Sequence, residues 1–217
     1  MDLILAAAVL AAIIIFLVAL GIIFKILKAA LGIALFIIAV ILLLSSFSIY
    51  RDVNNFKTKF NESSNIFLLM DQQSLEAGFA QANGNFTFFD ESLAAKYQRY
   101  IDRGMNEEML GSNYKIFFID IVAFENESGF DAMLQEKNQA EKSVKFSYMV
   151  ADKLDNDIMF FFREYRDNHM EVYPRTALFK FIDFIPFNYL TNSFKDIKTG
   201  ITQKIESFIK NRAKETV

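Results

Sequence analysis

The sequence predicts an N-terminal transmembrane α-hairpin followed by an α+β domain that faces water. Two observations support this fold class. Residues 1–50 contain only three charged side chains, Asp2, Lys25 and Lys28, and are otherwise almost entirely apolar. The remaining residues are rich in charge and combine strand-like alternation with helical periodicity. The first part of the chain is therefore suited to lipid and the second to water.

Two apolar runs predict the hairpin. Residues 3–24 form an unbroken apolar run of 22 residues, which as a helix spans about 33 Å, enough for the hydrocarbon core of a bilayer. A second run covers residues 29–47. Lys25 and Lys28 lie between the runs at i and i+3, where both side chains reach one membrane interface. The alternative is one spanning helix followed by a helix that lies in the interface.

The charges beside the apolar runs predict the orientation. Asp2 precedes the first run and two lysines follow it, so the positive-inside rule applied to the first helix places the lysine loop in the cytoplasm and both ends of the hairpin outside. The basic residues after the second run, Arg51, Lys57 and Lys59, favour the opposite orientation and leave that alternative open. No Lys or Arg precedes the first run, which is also longer than the apolar region of a signal peptide, so a cleaved signal is not expected. The sequence predicts a multi-pass cell-membrane protein whose C-terminal domain is extracytoplasmic, with Arg51 at the interface.

Three N-x-[ST] sequons agree with an outward-facing domain. They begin at Asn61, Asn85 and Asn126. In a cell that glycosylates exported asparagine, these residues are N-glycosylation acceptors.

The rest of the chain divides into a juxtamembrane stalk at 51–64 and one α+β domain at 65–217. Within the domain, residues 65–89 predict a three-stranded antiparallel meander. Its second turn carries Asn83-Gly84 before a strand-forming run, and Asn-Gly between strand formers is a strong hairpin signal. Residues 114–124 are apolar on both faces and predict an interior strand.

Helices are predicted around this sheet. Asp90 is a suitable N-cap for a helix over 91–103 that ends at Gly104. Ser128, with Asp131 three residues later, resembles a capping box. Pro174 suits the first turn of a later helix.

The C-terminal part of the chain is aromatic and amphipathic. A helix from about 190 to 208 carries an apolar stripe despite Gly200, and its stripe is expected to pack on the domain core. Three consecutive aromatics, Phe160, Phe161 and Phe162, cannot share one side of a helix, so one or two of them are expected to be exposed. The alternative interpretation is that 158–210 lies against the bilayer, because basic residues accompany the stripe.

Residues with catalytic chemistry are few. The chain has no cysteine and one histidine, which excludes disulfides, thiolate catalysis and any site that needs two histidines. His169 lies in a polar, turn-like stretch and is predicted to be a solvent-exposed loop residue. Asp120 with Glu125 is predicted to be a solvent-facing carboxylate pair without a further catalytic group.

An acidic cluster at Asp152, Asp155 and Asp157 resembles part of a calcium loop. It lacks the glycine and the final glutamate of such a loop, so it is interpreted as a solvated helix end. We therefore predict no catalytic, cofactor-binding or metal-ligating residue and no cofactor.

Three stretches carry a resemblance to a known group of proteins. They are Ile49-Tyr50-Arg51-Asp52, then Phe67-Leu68-Leu69 followed by Ala77-Gly78-Phe79, and Val172-Tyr173-Pro174 followed by Phe179-Lys180 and Pro186. The chain resembles small uncharacterised archaeal membrane proteins with an N-terminal transmembrane hairpin. This resemblance implies a cell-membrane location and transfers no functional residue.

The sequence thus predicts a membrane-anchored, non-enzymatic surface or envelope protein with an interaction or structural role. Its partners are the lipid bilayer and other membrane proteins. The acidic water-facing part excludes a nucleic-acid partner, and no small-molecule substrate is identified. Two alternatives remain open: an accessory subunit of a membrane transport or secretion complex, and a membrane-tethered hydrolase.

Overall fold

The computed structural model describes residues 3–82, 85–157, 159–194 and 201–215. The chain forms two compact units, Met1–Ser48 and Ile49–Val217. The first helix, α1, runs from Leu3 to Glu62 and contributes to both.

In the first unit, α1 is a continuous apolar helix and does not show the predicted two-helix hairpin. The residues between the two apolar runs, Lys25 to Lys28, include neither proline nor glycine, so nothing local interrupts the helical hydrogen bonds. A Cβ built on Gly21 or Gly32 would meet no atom within 4 Å. Among the described residues, therefore, no other element packs against these glycines.

The apolar part of α1 is exposed. All side chains from 20 to 44 are exposed, and the helix is long and apolar enough to cross a membrane. This coarser prediction of a membrane-compatible N-terminal helix agrees with the structure by length and composition.

The second unit contains a mixed five-stranded sheet. Its strands are β1 (Asn65–Asp71), β2 (Ser74–Ala82), β3 (Asn85–Phe88), β4 (Lys115–Asp120) and β5 (Met170–Tyr173). The order is β3-β2-β1-β4-β5, with β4 parallel to β1 and the other neighbours antiparallel. The predicted meander is confirmed as β1–β2–β3. The Asn83-Gly84 turn lies outside the described residues.

Short helices surround the sheet. They are α2 (Glu91–Asp102), α3 (Asn106–Leu110), α4 (Phe130–Leu134), α5 (Gln139–Asn156), α6 (Met159–Arg166), α7 (Ala177–Lys180), α8 (Phe187–Phe194) and α9 (Ile201–Glu215), with 3-10 helices at Ile121–Phe124 and Ile182–Phe184. The α+β class is therefore confirmed for this unit.

Side chains on β1 alternate between two cores, one on each face of the sheet. Ile66 and Leu68 pack in a smaller core with Met109 of α3 and residues of α2. Phe67 and Leu69 face a larger core built with α5, α6, α8 and α9. Burial on both faces explains why β1 and β4 read as nearly continuous apolar runs.

Stacked aromatic rings form the centre of the larger core. The ring of Phe67 lies between those of Phe79 and Phe117, with centroid separations of 4.8 and 5.0 Å. The rings of Phe161 and Phe117 meet edge to face, with a centroid separation of 5.7 Å. Such pairs add to the stability that area burial provides.

The expectation that one or two of Phe160, Phe161 and Phe162 are exposed is wrong. All three are buried, at 5%, 3% and 1% exposure. Helix α6 is enclosed on several sides: Phe160 packs on Phe124, and Phe162 packs on Phe194. The three phenylalanines are therefore all buried, although they lie on different sides of α6.

At the helix ends, the predictions for Asp90 and Gly104 are confirmed and the prediction for Ser128 is not. The side chain of Asp90 accepts a hydrogen bond from the Leu93 amide, as an N-cap does, and Gly104 has the predicted positive φ after α2. The predicted capping box at Ser128 is wrong. Helix α4 begins after Gly129, whose left-handed backbone provides no side-chain cap.

The region around Pro174 also differs from the prediction. Residues Met170–Tyr173 form β5, and α7 begins at Ala177, so Pro174 lies in a loop. The predicted strand over 114–124 is interior but ends at Asp120, because the Asp120 carboxylate accepts a hydrogen bond from the Val122 amide and starts a 3-10 turn.

The segment predicted as a stalk belongs to the core. Val53, Phe56 and Phe60 of α1 are 2–3% exposed, and Phe56 contacts the rings of Phe179 and Phe194.

We predict that the fragment 49–217 folds without the N-terminal unit, because it contains the whole of both cores. Its circular dichroism spectrum is expected to show mixed helix and strand. A random-coil spectrum would contradict this domain assignment.

Within the predicted C-terminal helix the structure describes two helical stretches, α8 and α9. The segment 195–200, with Gly200, lies outside the described residues. Ile205 of α9 is fully buried, and the Phe208 ring packs on Phe86 and Phe88, so the apolar stripe faces the domain core.

Candidate functional site

An open cleft of about 510 Å³ lies at the end of the sheet where the parallel strands β1 and β4 both terminate. Four segments line it: the β1–β2 turn, the end of α2, the end of β4 and the start of β5. Polar side chains after parallel strands meet at one edge of a sheet, which is a common position for binding sites.

Two tight turns direct polar side chains into this cleft. Gln72, in the turn between β1 and β2, has φ of 55°. Asn168, after α6, has φ of 62°, and the following amide of His169 donates to the Glu164 carbonyl at 2.8 Å. Left-handed residues are common in such hairpin turns and helix ends, so local structure accounts for both.

The histidine of the cleft is held by a carboxylate. His169 Nδ1 lies 3.0 Å from Glu164 Oε2, and the His169 carbonyl accepts a hydrogen bond from the Asp120 amide at 2.8 Å. The side chain is 39% exposed. His169 is thus a partly exposed turn residue whose ring pairs with Glu164, whereas the sequence predicted a solvent-exposed loop residue.

Three carboxylates make this part of the cleft acidic. Asp120 accepts from the Val122 amide at 3.0 Å, and Asp102 accepts from Gln98 at 2.7 Å. Glu171 is exposed on β5, the strand at the edge of the sheet. Asp120 and Asp102 therefore support local structure, whereas Glu171 projects from the strand edge.

A second cavity of about 320 Å³ continues from the first and shares Asn168, Met170 and Glu171 with it. This cavity holds charges of both signs, since Arg166 and Arg175 line it together with Glu171 and Asp183. Arg166 donates to the carbonyls of Ile182 and Ile185, and Arg175 Nε donates to the Tyr165 hydroxyl at 2.9 Å. We call the two cavities together the β5 cleft; its first cavity is acidic and its second carries charges of both signs.

The ionisable side chains that line the β5 cleft are carboxylates, His169, Tyr165 and two arginines. Among the described lining residues there is no serine, threonine, cysteine or lysine. Within the described ranges, no three His, Asp or Glu residues are grouped so as to hold a metal ion.

The other residues singled out in the sequence lie elsewhere. Glu125 does not line the β5 cleft. Asp152 accepts from Asn156, and Asp157 pairs with Arg163, which is consistent with a solvated helix end. Asn85 and Asn126 are exposed, as are Lys25, Lys28 and Arg51; for Asn61 the structure describes the backbone only.

A separate buried cluster surrounds Lys115 at the start of β4. This lysine is 0% exposed, and its Nζ donates to the Pro174 carbonyl at 2.7 Å and to Thr176 Oγ1 at 3.3 Å. Burial lowers the pKa of Lys115 to about 8, although the nearby Asp52 carboxylate acts in the opposite direction. Burial and Asp52 raise the pKa of Tyr114 to about 12.

These pKa shifts predict how stability depends on pH. Between about pH 8 and 10.5 the unfolded chain holds a proton on Lys115 that the folded chain has released, so the free energy of unfolding should rise with pH. We expect a rise on the order of 1–2 kcal/mol, because solvent screening reduces the full effect. Above pH 10, ionisation of Tyr114 in the unfolded chain acts in the opposite sense.

Urea unfolding of fragment 49–217 at pH 7.5 to 10, roughly the interval between the folded and unfolded lysine values, measures this slope. Lys115→Met should remove most of it. An equal slope in the wild type and in this variant would show that Lys115 is not the titrating group.

Comparison with known proteins gives no family. No family model matches the chain, and neither the curated proteins nor the solved structures contain a significant match. Function must therefore be inferred from the residues themselves.

Sequence reasoning missed Gln72, Asp102 and Glu171 as cleft residues. The signal that could have revealed them is the pairing of β1 with β4: if these strands are parallel, the residues after both must share an edge. The sequence of β1 or of β4 alone does not show which strand it pairs with.

Proposed function

We propose that this protein is a membrane-anchored, non-enzymatic interaction protein of the cell surface or envelope. The observation that carries the proposal is the exposed apolar helix of the first unit, joined to a second unit with its own complete cores. Exposed apolar surface of this extent is unfavourable in water and favourable in lipid. The first unit is the anchor and the second presents a binding surface.

The anchor crosses the bilayer twice. Its apolar part, residues 3–47, is about 68 Å long as a helix, more than twice the hydrocarbon core of about 30 Å. A single straight span would leave half of it in water. The chain is helical at Lys25–Lys28 in the structure; the proposal is that it reverses there in the bilayer, which gives two spans of suitable length and places both lysines at an interface.

The second unit faces out of the cytoplasm in this proposal. The lysine loop is the cytoplasmic side by the positive-inside rule. Two sequon asparagines, Asn85 and Asn126, are exposed on the second unit, where an exported protein would accept a glycan.

The β5 cleft is the proposed contact site for another membrane or surface protein. It offers carboxylates in the first cavity and charges of both signs in the second, beside β5, which is an edge strand of the sheet over the described residues. An extended polypeptide with charges of both signs fits such a groove, since a strand edge provides backbone hydrogen bonds and the flanking charges fix the register.

Two experiments test this proposal. Alkaline carbonate strips peripheral proteins, so the full chain should remain with the membrane fraction; release of the full chain would refute the anchor. The full chain can then be purified in mild detergent beside Glu171→Lys and a matched exposed control, Glu125→Lys. Proteins lost from Glu171→Lys alone identify partners of the cleft.

The same purification separates the alternatives. Stoichiometric recovery of transporter or secretion components would assign the chain as an accessory subunit. Identical sets of co-purifying proteins from both charge variants would refute the cleft as the contact site.

A membrane-tethered hydrolase is the second candidate, and the His169–Glu164 pair favours it. A carboxylate at Nδ1 orients the ring so that Nε2 can accept a proton from water. Hydrolysis of a generic aryl ester by the purified chain, abolished by His169→Asn and retained in Glu125→Lys, would support this candidate. Equal rates for the wild type and His169→Asn would dismiss it.

A further inference from the structure

Large exposed apolar side chains in the second unit are concentrated in one segment. Among its described residues, the large apolar side chains that are exposed are Tyr50, Val122, Phe181, Phe184 and Tyr189. Three of these lie within 181–189, and Phe184 is 83% exposed. Most phenylalanines of the second unit are buried in the two cores, whereas Phe184 is almost entirely exposed.

The exposed rings are held in place by the fold. The Phe184 amide donates to the Phe181 carbonyl at 3.0 Å and closes a 3-10 turn, in which residues three apart lie on the same side. Arg166 donates to the carbonyls of Ile182, within this turn, and of Ile185, directly after it. The turn therefore presents Phe181 and Phe184 together on a braced backbone.

Contacts within the second unit place the residues just before this segment, Leu178 and Phe179, near the point where the chain enters it. Asp52, three residues after Ile49, accepts a hydrogen bond from the Leu178 amide at 2.6 Å. One helical turn further on, Phe56 packs on Phe179. The sheet lies further from the chain entry, since it is Phe60, at a later position in α1, whose ring contacts the β4 residue Phe117, with a centroid separation of 5.8 Å.

Strand β4 leads from the chain entry towards the opposite end of the second unit. It begins at Lys115, whose Nζ lies 5.4 Å from the Phe179 ring, and it leads away from there to Val122, just past its end. Six residues of strand span about 20 Å. Val122 is thus an exposed apolar side chain remote from the chain entry.

We propose that Phe181, Phe184 and Tyr189 insert into the bilayer interface and fix the second unit against the membrane. The inference rests on the proposed membrane anchor, and it commits to lipid because the segment adjoins the point where the chain leaves that anchor. Aromatic residues are enriched at membrane interfaces, and the exposed cations Arg51 and Lys180 near this end suit anionic headgroups, although Asp183 opposes them.

The absence of cysteine from the chain allows a direct test by single-site labelling. The full chain carrying Phe184→Cys, labelled with an environment-sensitive fluorophore, is reconstituted into phosphatidylcholine–phosphatidylglycerol vesicles with a headgroup nitroxide lipid. Val122→Cys is the matched exposed control. Leu35→Cys, in vesicles with an acyl-chain nitroxide, reports the anchor independently.

We expect severalfold quenching at position 184, strong quenching at 35 and little at 122. Quenching at 35 with equal, weak quenching at 184 and 122 would overturn the interfacial patch alone. Blue-shifted, unquenched emission at 184 would also overturn it, because a protein rather than lipid would then cover the rings. No quenching at 35 would overturn the anchor and this inference with it.

Discussion

Replacing Ile205 with aspartate is expected to destabilise the second unit by more than about 3 kcal/mol, because it places a charge in an apolar core. Ile205 is fully buried, and its helix α9 packs against α5 and β3. In fragment 49–217 the loss should appear as a lower midpoint in urea, or as failure to fold.

Ile205→Ala provides a milder version, with an expected loss of about 2–4 kcal/mol. The matched control is Ser207→Asp, which adds the same charge at an exposed position of the same helix. Unchanged melting temperatures for both Ile205 variants would show that α9 does not pack on the core.

Replacing Phe67 with alanine is expected to cost about 3–5 kcal/mol, since it removes a large, fully packed ring. The Phe67 ring stacks between Phe79 and Phe117 and is 0% exposed, so its loss leaves a cavity at the centre of the larger core. The measurement is again the free energy of unfolding of fragment 49–217.

Phe184→Ala is the matched control for this change, because the same truncation is made at an 83% exposed ring. We expect it to change stability by less than about 0.5 kcal/mol in the water-soluble fragment. Similar losses for both variants would mean that the stacked rings do not form the centre of the core.

Local signals predicted the parts of this fold that depend on neighbouring residues. The meander β1–β3 and helix α2 follow from turn composition, strand-forming runs and the Asp90 cap, all within a few residues of the element concerned. Strand β5 was missed because four residues between a polar turn and a proline carry too little pattern; its pairing with β4 is what makes it a strand.

The remaining features of the fold depend on contacts between residues that are far apart in the chain. Nothing in the sequence shows that Phe160, Phe161 and Phe162 are all enclosed, because that depends on elements far away in the chain. Gly78 is a similar case: a Cβ there would lie 2.6 Å from Cδ2 of Phe89, a close approach that only the folded sheet creates.

The β5 cleft could be anticipated only in part. The sequence places His169 in a polar turn and predicts Asp120 as a solvent-facing carboxylate within a strand over 114–124. Their proximity arises because the Asp120 amide donates to the His169 carbonyl, which requires β5 beside β4. The carboxylate beside the histidine, Glu164, comes from α6, where helical spacing alone gave no reason to connect it with His169.

Cysteine accessibility in intact cells tests the membrane arrangement most directly. Single cysteines at Ile26, in the loop between the proposed spans, and at Asn126, on the second unit, can be treated with a membrane-impermeant maleimide before and after lysis. We predict that position 126 is labelled in intact cells and position 26 only after lysis. Labelling of position 26 in intact cells, or protection of position 126 until lysis, would contradict a two-span anchor with an outward-facing domain.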